Sequence, residues 1–134
     1  MKTVVFISNF MGNGGAARVI AVLAEEIKKL NYKVVVASFT GDGYTYALSS
    51  DIEHIRLDID KNAHRIKRKV LRIYAIRNLL KKYKGASVIA FEYFVNMETI
   101  IASCGLGCNV IVSERNDPAQ EDKKIGIKQF RNFF

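Results

Sequence analysis

The fold of this chain is decided by residues 3–30, TVVFISNFMGNGGAARVIAVLAEEIKKL. The first six of these residues form an apolar run of strand length, which predicts a buried strand. Residues 12–15 are rich in glycine and predict a tight turn. Four apolar side chains then recur at helical spacing, namely Val19, Leu23, Ile27 and Leu30. The pattern is therefore a strand, a glycine-rich turn and a helix.

The same alternation of strands and helices continues along the chain. Further strands are predicted at residues 33–39, 52–57, 87–91 and 109–113, and further helices at 62–83 and 95–104. Asp117 and Pro118 then predict the start of another helix. Strands that are apolar on both faces imply a parallel sheet covered on both sides. With right-handed crossovers, the simplest strand order is 3-2-1-4-5, a Rossmann-like α/β domain.

Length and composition fit one such domain. The chain has 134 residues, of which 49% are hydrophobic, enough for a single core. No run approaches the roughly 20 apolar residues of a membrane-spanning helix, and the opening apolar run is too short for a signal peptide. We therefore expect a cytoplasmic protein. Cys104 and Cys108 make no disulfide framework and no zinc ligand set, so no metal site is expected.

Positive charge is concentrated in one predicted helix. The net charge is +8, and residues 61–84 hold ten of the 21 Lys and Arg residues and no acid. With Ile66, Val70, Ile73 and Leu80 turned toward the core, we expect this helix to attach electrostatically, without insertion, to the anionic inner face of the plasma membrane. The membrane-facing residues would be Arg65, Lys67, Arg68, Lys69, Arg72, Arg77, Lys81 and Lys82. The alternative is a basic helix that merely faces solvent. Nucleic-acid binding is not expected, because charge is its only support.

Polar segments follow the first, fourth and fifth predicted strands, at residues 9–18, 92–96 and 114–117. The predicted order makes these strands neighbours, and open sheets bind ligands at the carboxyl ends of their strands, where the order switches. The substrate-binding candidates are Gly14, Gly15, Arg18, Glu92 and Asn96. The catalytic candidates are Glu114, Arg115 and Asn116.

The glycine-rich turn is a weak motif when taken alone. Residues 12–17 satisfy the pattern G-x-G-x-x-A, which suits an anionic group at the following helix. A dinucleotide site also needs an acidic residue at the end of the second strand, where this chain reads Ala37-Ser38-Phe39-Thr40. A nucleophile elbow, a Walker lysine and a nearby Cys/His pair are all missing. His54 and His64 are expected to lie away from the crevice.

Two motifs carry a family resemblance that covers nearly the whole chain. Residues 14–19, GGAARV, resemble the G-G-A-E-R-V segment near the start of family 4 glycosyltransferases, and residues 110–118, VIVSERNDP, resemble their fifth-strand segment. The resemblance implies the N-terminal half of a GT-B fold, in which two Rossmann-like domains enclose a cleft. The first domain binds mainly the acceptor and the second the nucleotide-sugar, and transfer is typically retaining and metal-independent. The implied cleft residues are Gly14, Gly15, Glu92, Asn96, Glu114, Arg115 and Asn116.

The chain departs from this family at several points. Ala17 replaces the usual glutamate, and Arg115-Asn116 stands where many relatives have a histidine. The donor domain with its paired glutamates is absent from residues 1–134. The apolar ending at residues 129–134 suggests an excised domain or a truncated gene product.

The resemblance therefore implies the acceptor-side domain of a retaining glycosyltransferase, inactive alone. Its acceptor would be a glycan or a lipid-linked glycan. No cofactor is expected beyond a nucleotide-sugar donor for the full-length enzyme. The alternative is a stand-alone, non-catalytic binding module for an anionic ligand or a membrane surface.

Overall fold

The computed structural model describes residues 2–12, 14–40, 48–60 and 62–113. Within them lie five strands and three helices. The strands are β1 (Thr3–Phe10), β2 (Lys33–Thr40), β3 (Glu53–Arg56), β4 (Ser87–Phe91) and β5 (Asn109–Ser113). The helices are α1 (Gly15–Lys29), α2 (Arg65–Lys82) and α3 (Tyr93–Ala102). The helix start predicted at Asp117 lies outside the described residues.

The five strands form one parallel sheet in the order β3-β2-β1-β4-β5, which confirms the predicted Rossmann-like topology. Strand β1 is central and pairs with β2 on one side and β4 on the other. Its residues Val4 to Ile7 are all buried. They alternate between two apolar clusters, one on each face of the sheet. A β1 buried on both faces explains its uninterrupted apolar run.

Helix α1 covers one face of the sheet through small side chains. Its buried residues are Ala17, Ile20, Ala21 and Ala24. Two of the four apolar residues predicted at helical spacing, Leu23 and Leu30, are 38% and 68% exposed. The sheet face beneath α1 is already filled by Phe6, Val36 and Phe91. Mostly alanines therefore form the contact face, and the larger side chains of α1 lie beside it.

Helix α2 packs on the opposite face from Ile73 onward, and its buried residues are Ile76, Leu79 and Leu80. Leu80 is buried there and Ile73 is partly buried against the core, as predicted. Ile66 and Val70 were expected to face the core, but they are 68% and 59% exposed. The reason is position on the helix, because Val70 lies about 120° around the helix from the buried Ile76, and Ile66 lies in the first turn. Among the described residues, no helix combines the length and apolar content needed to cross a membrane.

Candidate functional site

Three strands bring their carboxyl ends to one edge of the sheet. Strand β4 ends at Phe91, which is in register with Ser113 at the end of β5, and β1 lies on the other side of β4. Gly14 and Glu92 immediately precede α1 and α3, so both lie at this edge. We call this edge the crevice. The catalytic candidates Glu114, Arg115 and Asn116 lie outside the described residues.

The glycine-rich turn leaves open space at the start of α1. A Cβ atom added to Gly14 or Gly15 would meet no heavy atom within 4 Å. Gly14 is the N-cap residue and provides no side-chain capping bond. The first N–H groups of a helix have no partner within it, so they can bind an anionic group that approaches through this space. Arg18 is exposed in the same first turn.

The turn between β4 and α3 contains a strained residue. Glu92 has φ 78° and ψ 144°, a backbone conformation that is rare for residues other than glycine. Its N–H donates to the Ser113 carbonyl oxygen at 3.3 Å. Backbone strain of this kind clusters at functional sites, so it supports a role for Glu92 at the crevice.

Asn96 ties α3 to the end of β5. Its Nδ2 donates to the Ser113 carbonyl oxygen at 3.1 Å, so this oxygen accepts bonds from both Asn96 and Glu92. The residue is only 7% exposed, and its Oδ1 atom is buried without a hydrogen-bond partner. Asn96 therefore holds the end of β5 in place. Gly14, Gly15 and Arg18, by contrast, are at least partly exposed to solvent.

A second polar group at the crevice is centred on Arg72 of α2. Its Nε atom donates to both carboxylate oxygens of Glu98 at 3.0 Å, and its Nη1 donates to Asn9 Oδ1 at 3.0 Å. The guanidinium also lies 3.8 Å from the ring centroid of Phe39. Burial raises the pKa of Glu98, an effect that Arg72 and then Lys69 oppose. This cluster fastens α2 and α3 to the ends of β1 and β2.

The structure separates the eight basic residues predicted to face a membrane. Arg72 is tied to Glu98, and Arg77 Nη1 donates to the carbonyl oxygens of Ala102 and Cys104 at 3.0 and 2.8 Å. These two guanidiniums are therefore occupied within the protein. The Nζ atom of Lys82 lies 3.6 Å from Oε1 of Glu53. The exposed remainder is Arg65, Lys67, Arg68, Lys69 and Lys81.

Neither histidine belongs to β1, β4 or β5 or to the turns that follow β1 and β4. His54 is on β3, with Nε2 3.5 Å from the Ser38 hydroxyl oxygen, and burial lowers its pKa. His64 caps α2, where its Nδ1 accepts from the Ile66 N–H at 3.4 Å. No cluster of three or more His, Cys, Asp or Glu side chains that could hold a metal occurs among the described residues.

Sequence reasoning missed Glu98 and placed Arg72 on the wrong surface. One signal was available for Glu98, because it is the single charged residue between Tyr93 and Ala102. A lone acid in an apolar helix is rarely buried without a partner. Nothing in the spacing of α2 identified Arg72 as that partner, since it stands among many similar cations.

Comparison with curated proteins finds similarity to one sugar transferase. It is 27% identical over 128 residues to a Campylobacter jejuni enzyme, GalNAc-alpha-(1->4)-GalNAc-alpha-(1->3)-diNAcBac-PP-undecaprenol alpha-1,4-N-acetyl-D-galactosaminyltransferase. The alignment covers 93% of this chain and 35% of the enzyme. The chain thus spans about a third of the length of that curated relative. No protein-family model matches it.

Two solved structures show the same fold. MurG from Acinetobacter baumannii superposes with a TM-score of 0.65 at 16% identity, over 87% of this chain and 35% of MurG. The lipopolysaccharide outer core galactosyltransferase WaaB superposes with a TM-score of 0.63 at 15% identity, over 84% of this chain and 32% of WaaB. The sheet is therefore the Rossmann-like sheet found in GT-B glycosyltransferases, and each match covers about a third of the larger protein.

Proposed function

We propose that this chain, which has the Rossmann-like fold of one GT-B domain, is the acceptor-side domain of a retaining glycosyltransferase. Its second domain would bind the nucleotide-sugar donor, and residues 1–134 alone would be inactive. The observation that carries the proposal is the crevice, where Gly14 and Glu92 lie at one edge of the sheet. Similarity to the Campylobacter enzyme along 93% of the chain supports it.

The acceptor proposed is a glycan carried on a lipid diphosphate. The Campylobacter relative is named for an oligosaccharide on undecaprenyl diphosphate. A diphosphate is anionic. The N–H groups at the start of α1, next to Gly14 and Gly15, have no partner within the helix and can donate hydrogen bonds to such a group. Arg18 would add a positive charge beside it. The carboxylate of Glu92 would accept hydrogen bonds from acceptor hydroxyl groups.

In the complete enzyme, transfer would take place where the two domains face each other. The amides of the glycine-rich turn would help to stabilise charge on the leaving diphosphate of the donor. Arg115 would do the same or hold an acceptor phosphate. Asn96 would keep the end of β5 in place, and with it the point from which Glu114, Arg115 and Asn116 follow. No metal or cofactor is assigned in this scheme.

We also propose that the domain lies on an anionic membrane. The observation in favour is the exposed cation cluster of Arg65, Lys67, Arg68 and Lys69 at the start of α2. Each such residue near an anionic surface contributes about 1 kcal/mol, and salt weakens the attraction. Attachment there would bring the crevice close to a lipid-linked acceptor.

The test is a titration of the isotopically labelled chain, followed by NMR. A short-chain polyprenyl diphosphate glycan should shift the amide signals of Gly14, Gly15, Arg18 and Glu92. The same glycan without its diphosphate should bind more weakly. Glu92→Gln should reduce binding and Arg56→Gln should not, because Arg56 lies on β3 at the far side of the sheet. Shifts confined to residues outside the crevice would refute the assignment.

A second candidate is a binding module without catalysis. The basic residues of α2 favour it, because they form a positively charged surface that can bind an anionic ligand without a second domain. The sequence of the gene after Phe134 separates the candidates. A second Rossmann-like domain with paired glutamates supports the transferase, and a stop codon directly after Phe134 supports the binding module.

A further inference from the structure

Asn9 is held in place at the point where β1 leads into the glycine-rich turn. Its carbonyl oxygen accepts a hydrogen bond from Thr40 Oγ1 at 2.8 Å, and its side-chain Oδ1 accepts one from Arg72 Nη1 at 3.0 Å. Shortly after Asn9, the N–H of Met11 donates to the Thr40 carbonyl oxygen at 3.3 Å. Gly15 then begins α1. The position of the turn before Gly15 therefore depends on how Asn9 is held.

Arg72 is itself fixed on three sides. Its Nε atom donates to both carboxylate oxygens of Glu98 at 3.0 Å, its Nη1 atom donates to Asn9, and its guanidinium carbon lies 3.8 Å from the ring centroid of Phe39. Phe39 is buried, and the side chains of Arg72 and Glu98 are only 18% and 12% exposed. Hydrogen bonds between charged groups are strong and directional in such a site. The position of Glu98 is therefore transmitted through Arg72 to Asn9.

Glu98 belongs to α3, the helix that begins at the crevice directly after Glu92. Two residues before Glu98, Asn96 donates to the Ser113 carbonyl oxygen and holds the end of β5. Side chains of α3 thus reach both sides of the crevice, through Asn96 to β5 and through Glu98 and Arg72 to the end of β1. Because Glu98 is buried, it can act on a ligand only through the residues that it holds.

We infer that Glu98 is a positioning residue for the glycine-rich turn: its carboxylate, acting through Arg72 and Asn9, keeps the N–H groups at the start of α1 in the geometry that binds a diphosphate. This inference rests on the proposed function, because the diphosphate site at Gly14 and Gly15 is part of it. The negative charge of Glu98 is essential to this role. A neutral group in its place leaves the Arg72 guanidinium buried without an ionic partner, so the guanidinium would turn toward water and release Asn9.

Protonation of Glu98 removes the same charge. Burial raises the pKa of Glu98 above its ordinary value of 4.5, and Arg72 and then Lys69, both on α2, oppose this. The strands that contact α3, namely β1, β4 and β5, contain no charged residue. Since the ionised form holds Arg72, the affinity for a diphosphate should fall as the pH decreases toward the raised pKa. A chain without an ionisable group at position 98 should lack this pH dependence.

The experiment measures the binding of a short-chain polyprenyl diphosphate glycan to the 134-residue chain by isothermal calorimetry. Glu98→Gln keeps the size of the side chain but removes its charge, and it should weaken binding at neutral pH by about tenfold. Glu26→Gln is the matched control, because Glu26 is an exposed acid on α1, and it should change the affinity by less than about twofold. Equal affinity of Glu98→Gln and the parent chain would overturn the positioning role.

The pH profile provides a readout that a merely structural role would not give. Between about pH 7 and about pH 5 the affinity of the parent chain should fall toward that of Glu98→Gln, while the affinity of Glu98→Gln stays constant. Parallel profiles of the two chains would refute a role for the charge of Glu98.

Asn9→Ala tests the other end of this series of contacts, and it keeps the inference testable if circular dichroism shows that Glu98→Gln is unfolded. It should also weaken binding by about tenfold. The double variant Glu98→Gln, Asn9→Ala should bind about as weakly as either single variant, because both changes break the same connection. Unchanged affinity of Asn9→Ala, or additive losses in the double variant, would refute the coupling.

NMR spectra of the labelled chain without ligand report on the turn directly. The amide signals of Gly14 and Gly15 should move as Glu98 titrates in the parent chain and should not move with pH in Glu98→Gln. The signal of Gly105, in the turn after α3, should stay constant in both. Failure of the parent chain to bind the glycan would refute the proposed function and the role built on it. Binding that Glu98→Gln leaves unchanged would refute the positioning role alone.

Discussion

At the scale of single residues, the structure concentrates its unusual chemistry at the crevice. Glu92 has a positive φ, Glu98 is buried beside Arg72, and Asn96 has a buried oxygen without a hydrogen-bond partner. Each of these features is unfavourable for stability by itself. Three of them on one short segment between β4 and the middle of α3 mark this segment as the part of the fold that serves the site.

Replacement of Glu92 tests whether its backbone is strained. Glu92→Gly should raise the free energy of unfolding by about 1 kcal/mol, because glycine adopts a positive φ without steric conflict. Urea denaturation measures the change. Asn31→Gly is the control, since Asn31 has φ 67° at the exposed end of α1 and asparagine tolerates this conformation. A gain at position 92 no larger than at position 31 would contradict stored strain.

The hydrogen-bonded pair of Tyr83 and Glu53 makes the stability of the fold depend on pH. Tyr83 donates its hydroxyl hydrogen to Glu53. Burial, and then Glu53, raise the pKa of Tyr83 from 10.0 to about 12, and Tyr83 lowers the pKa of Glu53. A raised folded pKa means that the contribution of Tyr83 is complete below pH 10 and is lost as the pH rises toward about 12. For Glu53 the sign is opposite, and its contribution is lost as the pH falls below 4.5.

Tyr83→Phe should therefore reduce the pH dependence of the free energy of unfolding, both above pH 10 and below pH 4.5. At neutral pH it should lower the free energy of unfolding by about 1 kcal/mol, the value of one hydrogen bond. Urea denaturation at a series of pH values measures this. Tyr74→Phe, at an exposed site on α2, should leave the profile unchanged. A Tyr83→Phe profile parallel to that of the parent chain would rule out the coupling.

At the scale of elements, α2 performs two tasks with its two halves. The C-terminal half is core structure, with Leu79 and Leu80 buried and Arg77 bonded to the end of α3. The first two turns instead expose Ile66, Val70 and the cations at residues 65 and 67–69.

Arg77 provides a test of this division. It donates to the Ala102 and Cys104 carbonyl oxygens, and carbonyl groups at a helix end have no partner within the helix. Arg77→Ala should lower the free energy of unfolding by about 2 kcal/mol, because two charge-assisted hydrogen bonds are lost. Arg68→Ala, in the exposed half of the same helix, should change it by less than about 0.5 kcal/mol. Equal effects in urea denaturation would show that both arginines are surface residues.

At the scale of the whole molecule, the chain covers 35% of the Campylobacter transferase and 35% of MurG. We therefore expect residues 1–134 to bind nucleotide-sugars weakly and to transfer no sugar. Isothermal calorimetry with UDP- and GDP-sugars is the measurement. Micromolar affinity would mean that the donor site lies in this domain and would overturn the acceptor-side assignment.

Much of the fold was open to prediction from the amino-acid pattern. The strand order and the bounds of β4 and β5 agree with the prediction, because apolar runs between glycine and polar turns are local features. The start of α3 at Tyr93, two residues before the prediction, was not accessible. It depends on the positive φ of Glu92, and that conformation is held in part by a bond to Ser113 on another strand.

The sequence by itself determined a parallel sheet covered on both faces and the edge at which polar segments gather. The reason is that the spacing of apolar residues and the direction of each strand can be read from the order of residues. Only the tertiary structure decided the roles of the cations in α2. Arg72 and Arg77 found partners on α3, whereas Arg65, Lys67, Arg68 and Lys69 remained exposed around Ile66, Val70 and Tyr74. The physical reason is that helical spacing gives the direction of a side chain from its axis, but the neighbour in that direction is set by where α2 packs against α3.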